Sequence, residues 1–237
     1  FAGQINGTSG YEEAAAQGLI AGINASNKVH GLNAVVIPRD HGYIGVLIDD
    51  LVTKGVTEPY RMFTSRAEFR LLFNHGSSEL RYLPILEHHC LVSKNRLNLI
   101  RKKFLNVEEW VEKLNQSKAF GDKTFADIIR QGKKPTVLPK EFIDLSIETQ
   151  SEVLYKVKYQ GYLKRELANI RKLKEAEKIR IPLDFSYHGL PGLRSESAEK
   201  LARIRPESLA QASRISGVNP SDISVLMVLL SKSLMSK

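Results

Sequence analysis

The sequence predicts a mainly α-helical protein with a small α/β segment at its N-terminus. From about residue 85 onward, apolar residues recur at the three-and-four spacing of helix faces. Eight of the sixteen glycines fall in residues 1–50, between short apolar runs. Residues 151–180 have helical spacing and an excess of basic side chains. We therefore divide the chain into an α/β segment at 1–55, a connecting and largely helical segment at 56–145, and a helical domain at 146–237.

The composition favours negatively charged partners but does not identify one. The 237 residues carry a formal net charge of +9, which favours nucleic acid, an anionic membrane surface or an acidic protein. The single cysteine, Cys90, excludes a disulfide within the chain and suits a reducing compartment. Its apolar neighbours favour a buried thiol over a nucleophile. His88, His89 and Cys90 are adjacent, so they do not converge on one metal ion, and we predict no metal site.

The N-terminal α/β segment begins with a glycine-spaced loop at residues 3–10, followed by a predicted small-residue helix at 11–25. Such a loop, with its free N–H groups and the helix dipole, suits an anion. A strand usually precedes this arrangement and none does here, so we expect the chain to be the C-terminal part of a longer protein. The apolar stretch 43–51 is too short for helix and strand to be distinguished.

The connecting segment combines basic and aromatic residues. Ser65 and Glu68 have the spacing of a capping box before an apolar run, although 69–73 also alternates like a short strand. Arginine forks suit phosphates and aromatic rings suit unstacked bases. The same mixture is common on ordinary surfaces, so both interpretations stay open for the basic and aromatic residues Arg61, Arg66, Arg70, Arg81, Tyr60, Phe63 and Phe69.

Periodicity and caps predict the later helices. One helix is expected over 95–114 and a short one over 124–130. A long helix is expected from Ser146 or Thr149 to about Ile179, ended by Pro182. Two or three short helices follow from Ser195. Two similar turns, at 190–193 and 215–218, each place a glycine before a helix, and we favour a structural role for them over phosphate binding.

The long helix is the most basic part of the chain. Residues 151–180 hold nine basic and four acidic residues, a net charge of +5. Lys158, Arg165 and Lys172 recur every seven residues, as do Lys164, Arg171 and Lys178, so each trio forms a stripe along the helix. A solvated helix face and a phosphate-contacting surface explain the stripes equally well.

No catalytic constellation stands out. Glu12 with Glu13 and Asp49 with Asp50 are sequence neighbours, and neighbouring side chains on a helix diverge by about 100°. Neither pair therefore predicts a two-carboxylate acid/base site. We predict no catalytic residue in this chain.

Five segments carry a specific resemblance to a known family. They are GQINGTSGYEEAAAQG at 3–18, YIGVLIDDLVTKG at 43–55, EPYRMFTSRAEFRL at 58–71, YQGYLKR at 159–165 and RPESLAQASRISGV at 205–218. Together they resemble the MnmG (GidA) family, the tRNA uridine 5-carboxymethylaminomethyl modification enzymes. The similarity runs nearly end to end and is weakest over about 85–140.

The resemblance implies an activity for the family. Its members bind FAD, use NADH and act with the GTPase MnmE. They add an aminomethyl-type group to C5 of the tRNA wobble uridine, with the carbon from methylene-tetrahydrofolate. The family enzyme is a homodimer that joins an MnmE dimer, and its C-terminal helical region is associated with MnmE docking and tRNA. The α/β segment at 1–55 would then be a remnant of the FAD-binding domain.

Position by position, the resemblance implies three groups of residues. The FAD-contacting group is Gly3, Gln4, Gly7, Thr8, Gly10 and Tyr11. The tRNA-binding group joins the arginine segment to the basic stripes: Arg61, Arg66, Arg70, Lys158, Lys164, Arg165, Arg171 and Lys172. The MnmE-docking group is Arg205, Gln211, Arg214 and Gly217.

The chain also departs from the family pattern. The dinucleotide fingerprint G-x-G-x-x-G does not occur in it, the family's proposed catalytic cysteines lie upstream, and Cys90 does not match them. Glu166 stands where the family often has Gln. We expect no FAD bound to this chain alone, no membrane partner, and a cytoplasmic location, or a mitochondrial one in a eukaryote.

Two other interpretations remain. A helical adaptor that binds only protein would use the apolar run 223–230 as a docking face. The related folate-dependent tRNA uridine methyltransferase shares a similar glycine loop but has no long helical tail, and residues 146–237 argue against it.

Overall fold

A computed structural model describes residues 1–53, 55–132 and 138–235 of the chain, without the side chains of residues 177 and 231–235. Lys54, in one of the family-like segments, lies outside the described residues. The mainly helical fold class is confirmed. The helices are α1 (Tyr11–Val29), α2 (Tyr43–Thr53), α3 (Ser78–His88), α4 (Lys94–Gln116), α5 (Phe125–Arg130), α6 (Lys140–Ile143), α7 (Ile147–Lys178), α8 (Ser195–Ile204), α9 (Leu209–Arg214) and α10 (Pro220–Met235).

The predicted long helices are present, with capped starts. Helix α4 runs without a break, and Ser93 caps it by accepting the N–H of Arg96. Helix α7 begins after Ser146, whose hydroxyl accepts the N–H of Thr149. Thr124 and Asp127 form a reciprocal capping box at α5. These caps satisfy N–H groups that have no partner inside a helix.

The largest core lies between α3, α4, α5 and the first half of α7. The apolar face of α4 supplies Val107, Trp110 and Leu114, and α7 supplies Val153 and Val157. A two-stranded hairpin, β1 (Lys118–Phe120) with β2 (Lys123–Thr124), joins α4 to α5. The sequence did not indicate this hairpin, because its strands are too short to show alternation.

A second core holds the C-terminal helices α8, α9 and α10 together. Leu201, Leu209, Leu226 and Leu230 are buried in it. Asp222, in the first turn of α10, is also buried, and its carboxylate accepts hydrogen bonds from the guanidinium of Arg194 and the hydroxyl of Ser197. Arg194 holds the pKa of the Asp222 carboxyl well below its usual range. This charge-assisted contact ties α8 to α10.

The N-terminal region contains helices but no named strand among its described residues. The undecided stretch 43–51 lies in α2. The apolar run 34–37 has no regular secondary structure, and the side chain of Asn24 hydrogen-bonds both the N–H and the C=O of Val35. The Asn24 side chain of α1 thus satisfies backbone groups that would otherwise need a neighbouring strand. Elsewhere in this region, an isolated parallel bridge joins Thr8 to Tyr60.

The capping box expected at Ser65 and Glu68 is wrong. Thr64–Arg66 form one 3-10 turn, and residues 69–73 form a turn rather than a helix or a strand. Two contacts explain the difference. Glu68 pairs with Arg39 and cannot cap, while Phe69 and Phe73 pack against Val46 in a small buried cluster. Tertiary contacts here override the local spacing.

In the described part of the chain, no helix combines the length and the apolar character that crossing a bilayer requires.

Candidate nucleic-acid interface and glycine-rich loop

The glycine-rich loop is held in shape by one buried side chain. Gly3 and Gly7 have positive φ angles of 80° and 82°, which favour glycine. The Gln17 carbonyl accepts the Gly3 N–H at 2.7 Å and the Thr8 hydroxyl at 3.2 Å, and its amide donates to the Asn6 carbonyl at 3.1 Å. Thr8 and Gln17 are buried. The loop therefore has a fixed conformation before any ligand binds.

The loop also docks onto the arginine-containing segment. The Tyr60 N–H donates to the Gly7 carbonyl at 2.7 Å, and the Ser9 N–H donates to the Tyr60 carbonyl at 3.2 Å. The buried carboxylate of Glu13 accepts the Met62 N–H at 2.9 Å. A Cβ at Gly10 would overlap that carboxylate, so a larger residue here would displace Glu13 from Met62. Glycine loop and arginine segment thus form one local unit.

A depression of about 450 Å³ lies on this unit, lined by Gln4, Gly7, Thr8, Ser9 and residues 56–59. The first turn of α1 carries Glu12 and Glu13, and carboxylates near a helix N-terminus compete with a bound phosphate. The charge of this turn does not support the expected anion site. Tyr11, the first residue of α1, is 93% exposed.

A partly buried ionic network contacts the arginine segment. The guanidinium of Arg39 donates to Asp49 and Asp50, each at 2.8 Å, and to both oxygens of Glu68. Burial alone would lower the pKa of Arg39, but the hydrogen bonds and charges of Glu68 and Asp50 outweigh it and raise that pKa. Arg39 therefore stays charged and holds three carboxylates together.

The network reaches Tyr60, whose backbone holds the glycine loop. The Tyr60 hydroxyl donates to Asp50 at 2.9 Å. Burial, followed by the negative charge of Asp50, raises the pKa of Tyr60. The guanidinium of Arg66 lies 4.4 Å from the Tyr60 ring centroid and 3.9 Å from Asp50. Arg66 is half-buried and faces inward, whereas Arg61 and Arg70 are exposed.

The residues expected to dock a protein partner make internal contacts. Arg214 of α9 is 14% exposed and pairs with Asp49 of α2, Nε to Oδ2 at 3.1 Å. The guanidinium of Arg205 donates to the Phe185 carbonyl at 3.1 Å. The Gln211 side chain accepts the Glu207 N–H. Gly217 has a φ of 93°, and its carbonyl accepts Arg194 and Ser197. Their docking role stays a prediction.

The basic face of α7 differs from the rest of that helix. Lys158, Lys164, Arg165, Arg171 and Lys172 are all exposed, and none forms an ion pair within the described residues. Three other lysines of the same helix are neutralised by acidic side chains: Lys156 by Glu108, Lys174 by Asp40 and Lys178 by Glu175. The five unpaired cations all belong to the predicted stripes, whose sixth member, Lys178, is paired.

The contacts of several residues that build these sites were not predicted. Gln17, Glu13, Arg39 and Tyr60 act through buried side-chain contacts across 10 to 49 positions of sequence. The sequence drew attention to Tyr60, Glu13 and the Asp49–Asp50 pair, but not to these contacts. Asp49 and Asp50 both bind Arg39. A cavity of about 790 Å³ lies beside the network, between α1, α2, α7 and α9.

Two family models match the chain. One, for the "tRNA modifying enzyme MnmG/GidA C-terminal helical bundle", matches residues 169–237, and the other, "Glucose inhibited division protein A", matches residues 1–33. The tRNA uridine 5-carboxymethylaminomethyl modification enzyme MnmG of Mycoplasmopsis synoviae is 45% identical over 235 residues, which cover 95% of this chain and 38% of the relative. MnmG of Enterococcus faecalis is 41% identical over 261 residues, covering 100% and 41%.

Solved structures agree with the sequence matches. GidA of Aquifex aeolicus, in its form II crystal, superposes with a TM-score of 0.79 at 37% identity, covering 97% of this chain and 39% of that one. Fold and site define a mainly helical module with a glycine-rich loop near its N-terminus and a basic face on its longest helix. The chain belongs to the MnmG/GidA family. It spans about 40% of the length of the curated relatives it matches.

Proposed function

We propose that the chain is the C-terminal part of an FAD-dependent enzyme that modifies C5 of the tRNA wobble uridine together with the GTPase MnmE. In this proposal the whole enzyme is a homodimer that uses NADH and methylene-tetrahydrofolate. The present chain supplies the tRNA-binding surface, the contact with MnmE and one wall of the flavin site. Family membership supports the reaction, and the α7 surface supports the role of this part.

One observation carries the RNA-binding role: five exposed cations of α7 have no ion-pair partner in the described part of the chain. Unpaired lysines and arginines repel one another and lower the stability of the folded state. A polyanion removes that repulsion and gains entropy from the counterions it releases. Arg61 and Arg70, exposed on the arginine segment, add to the same positive charge.

A salt titration of tRNA binding tests this role. The Lys158→Gln, Arg165→Gln, Lys172→Gln triple variant should bind tRNA more weakly. The slope of log K against log salt should become shallower by about 2 to 3, because each lost phosphate contact removes about 0.7 to 0.9 from it. Filter binding between low and physiological salt measures both quantities.

The matched control removes the same charge from the same helix. In the Lys156→Gln, Lys174→Gln, Lys178→Gln variant, each substituted lysine is already neutralised by an acidic partner. Its salt slope should stay close to that of the parent chain. Equal slopes for the two triple variants would show that only net charge matters and would contradict a binding face on α7.

The adaptor alternative keeps only part of the feature that suggested it. Leu226 and Leu230 of the apolar run are buried in the C-terminal core, whereas Met227 and Val228 are exposed. A protein-only adaptor also predicts no salt-dependent tRNA binding by the parent chain.

A further inference from the structure

Four residues of α7 form a patch that differs from the rest of its basic face. Lys158, Gly161, Tyr162 and Arg165 stand at positions i, i+3, i+4 and i+7, so they lie together on one side of the helix. All four are exposed, and Tyr162 is 56% exposed. The Arg165 guanidinium lies 4.7 Å from the centroid of the Tyr162 ring. We call these residues the Tyr162 patch.

The fold gives no internal reason for the glycine in this patch. Glycine inside a helix is less stable than alanine there. A Cβ built at Gly161 meets nothing within 4 Å, and no positive φ is present at this position. Neither packing within the chain nor backbone conformation therefore requires Gly161. The missing side chain leaves the helix backbone open to close approach by an external ligand.

The chemistry of the patch selects the ligand. A tyrosine ring stacks on nucleobases whatever their sequence, and an arginine plane beside it extends the stacking surface. Lys158 and Arg165 have no ion-pair partner among the described residues, so they can pair with the phosphates on either side of a stacked base. A duplex keeps its bases stacked inside and cannot use the ring.

We propose that the Tyr162 patch binds one unpaired nucleotide of an RNA, with the base stacked on Tyr162 and its sugar-phosphate lying over Gly161. This inference rests on the proposed function and deepens it. The basic stripes hold RNA by charge alone, whereas the patch distinguishes a single-stranded loop from a duplex. Tyr162 is then a residue that determines specificity.

Fluorescence anisotropy with the 237-residue chain tests the stacking. The probes are an oligouridine of about 12 nucleotides, within the site sizes of single-strand binders, and an RNA duplex of the same length. Tyr162→Ala should weaken oligouridine binding by about 5- to 150-fold and leave duplex binding nearly unchanged. Tyr162→Phe keeps the ring and should bind oligouridine like the parent chain.

Gly161→Ala separates an effect on RNA binding from an effect on folding. The added methyl should stabilise α7 and raise the Tm by about 1 to 4 °C, yet weaken oligouridine binding by obstructing the backbone. The matched control is Gly22→Ala in α1, another exposed helical glycine with nothing within 4 Å of its built Cβ. It should raise the Tm in the same way and leave binding unchanged.

The outcomes separate this inference from the function on which it rests. If both probes bind in a salt-dependent way that neither Tyr162→Ala nor Gly161→Ala changes, the nucleotide site is contradicted and the tRNA-binding role is not. A Tyr162→Ala loss that is equal for duplex and oligouridine also overturns it. A parent chain that binds neither probe overturns both proposals and favours a protein partner on this face.

Discussion

Tyr60 shows how one residue can serve two sites. Its backbone holds the glycine loop at Gly7 and Ser9, while its hydroxyl donates to the buried carboxylate of Asp50. Tyr60→Phe should lower the free energy of unfolding by about 1 to 2 kcal/mol, because Asp50 loses a donor in a buried setting. Urea denaturation measures the change. Tyr11→Phe, at a fully exposed ring, should have no effect, and an equal loss in both variants would contradict the role of the Asp50 contact.

Asp40 makes stability depend on acid pH. Burial alone would raise its pKa, but hydrogen bonds from His41 and Lys174 outweigh burial and lower the pKa from 3.8 to about 2. A lowered folded-state pKa stabilises the fold above the unfolded value, and this stability is lost as the pH falls from about 4 to about 2. Allowing for solvent screening, the contribution is about 1 kcal/mol. Unfolding of the parent chain and of Lys174→Gln, compared at several acid pH values, measures it. The variant should depend less on pH, and identical pH profiles would contradict this assignment.

Glu166 illustrates how an element positions its neighbours. Its carboxylate accepts the Leu72 N–H at 3.1 Å, and Tyr155, three turns earlier on α7, donates to the Leu71 carbonyl at 2.8 Å. These two contacts attach the turn at 69–73, and with it Arg70, to the basic helix. Glu166→Ala should cost about 1 kcal/mol, whereas Glu166→Gln keeps an acceptor and should cost less than half as much. Thermal unfolding of the two variants gives the comparison, and equal costs would show that the hydrogen bond is not what Glu166 contributes.

Elements with long periodic patterns were predictable, and elements set by distant contacts were not. The α4 face and the Ser146 cap of α7 could be predicted because both signals are local. The turn at 69–73 could not be predicted, because it depends on contacts about 20 to 30 positions away in sequence. Phe69 packs against α2, and Glu68 pairs with Arg39. The same holds for the site. The basic stripes were visible in the spacing of lysines, but nothing in the sequence shows that Lys174 is paired and Lys172 is not.

At the scale of the whole molecule, one ionic network joins parts that are far apart in sequence. Arg214 of the C-terminal core pairs with Asp49, Asp49 pairs with Arg39, and Arg39 pairs with Asp50, which holds Tyr60 and through it the glycine loop. Ion pairs and hydrogen bonds therefore connect the surface expected to dock a partner to the loop expected to contact the flavin. We expect this partly buried network to fix the relative position of these parts more than it adds stability.

The ionic network does not by itself make a cofactor site, and FAD binding by the chain can be measured. The glycine loop offers a shallow depression with two carboxylates in the adjoining helix turn, and the chain contains no G-x-G-x-x-G segment to hold a diphosphate. The purified 237-residue chain should therefore be colourless, and equilibrium dialysis against micromolar FAD should leave it without stoichiometric flavin. Glu12→Gln removes an exposed charge from the same turn. It should not make the chain bind FAD if the absence of diphosphate contacts is what prevents binding. A yellow, stoichiometrically loaded parent chain would show instead that residues 3–62 form a complete flavin site.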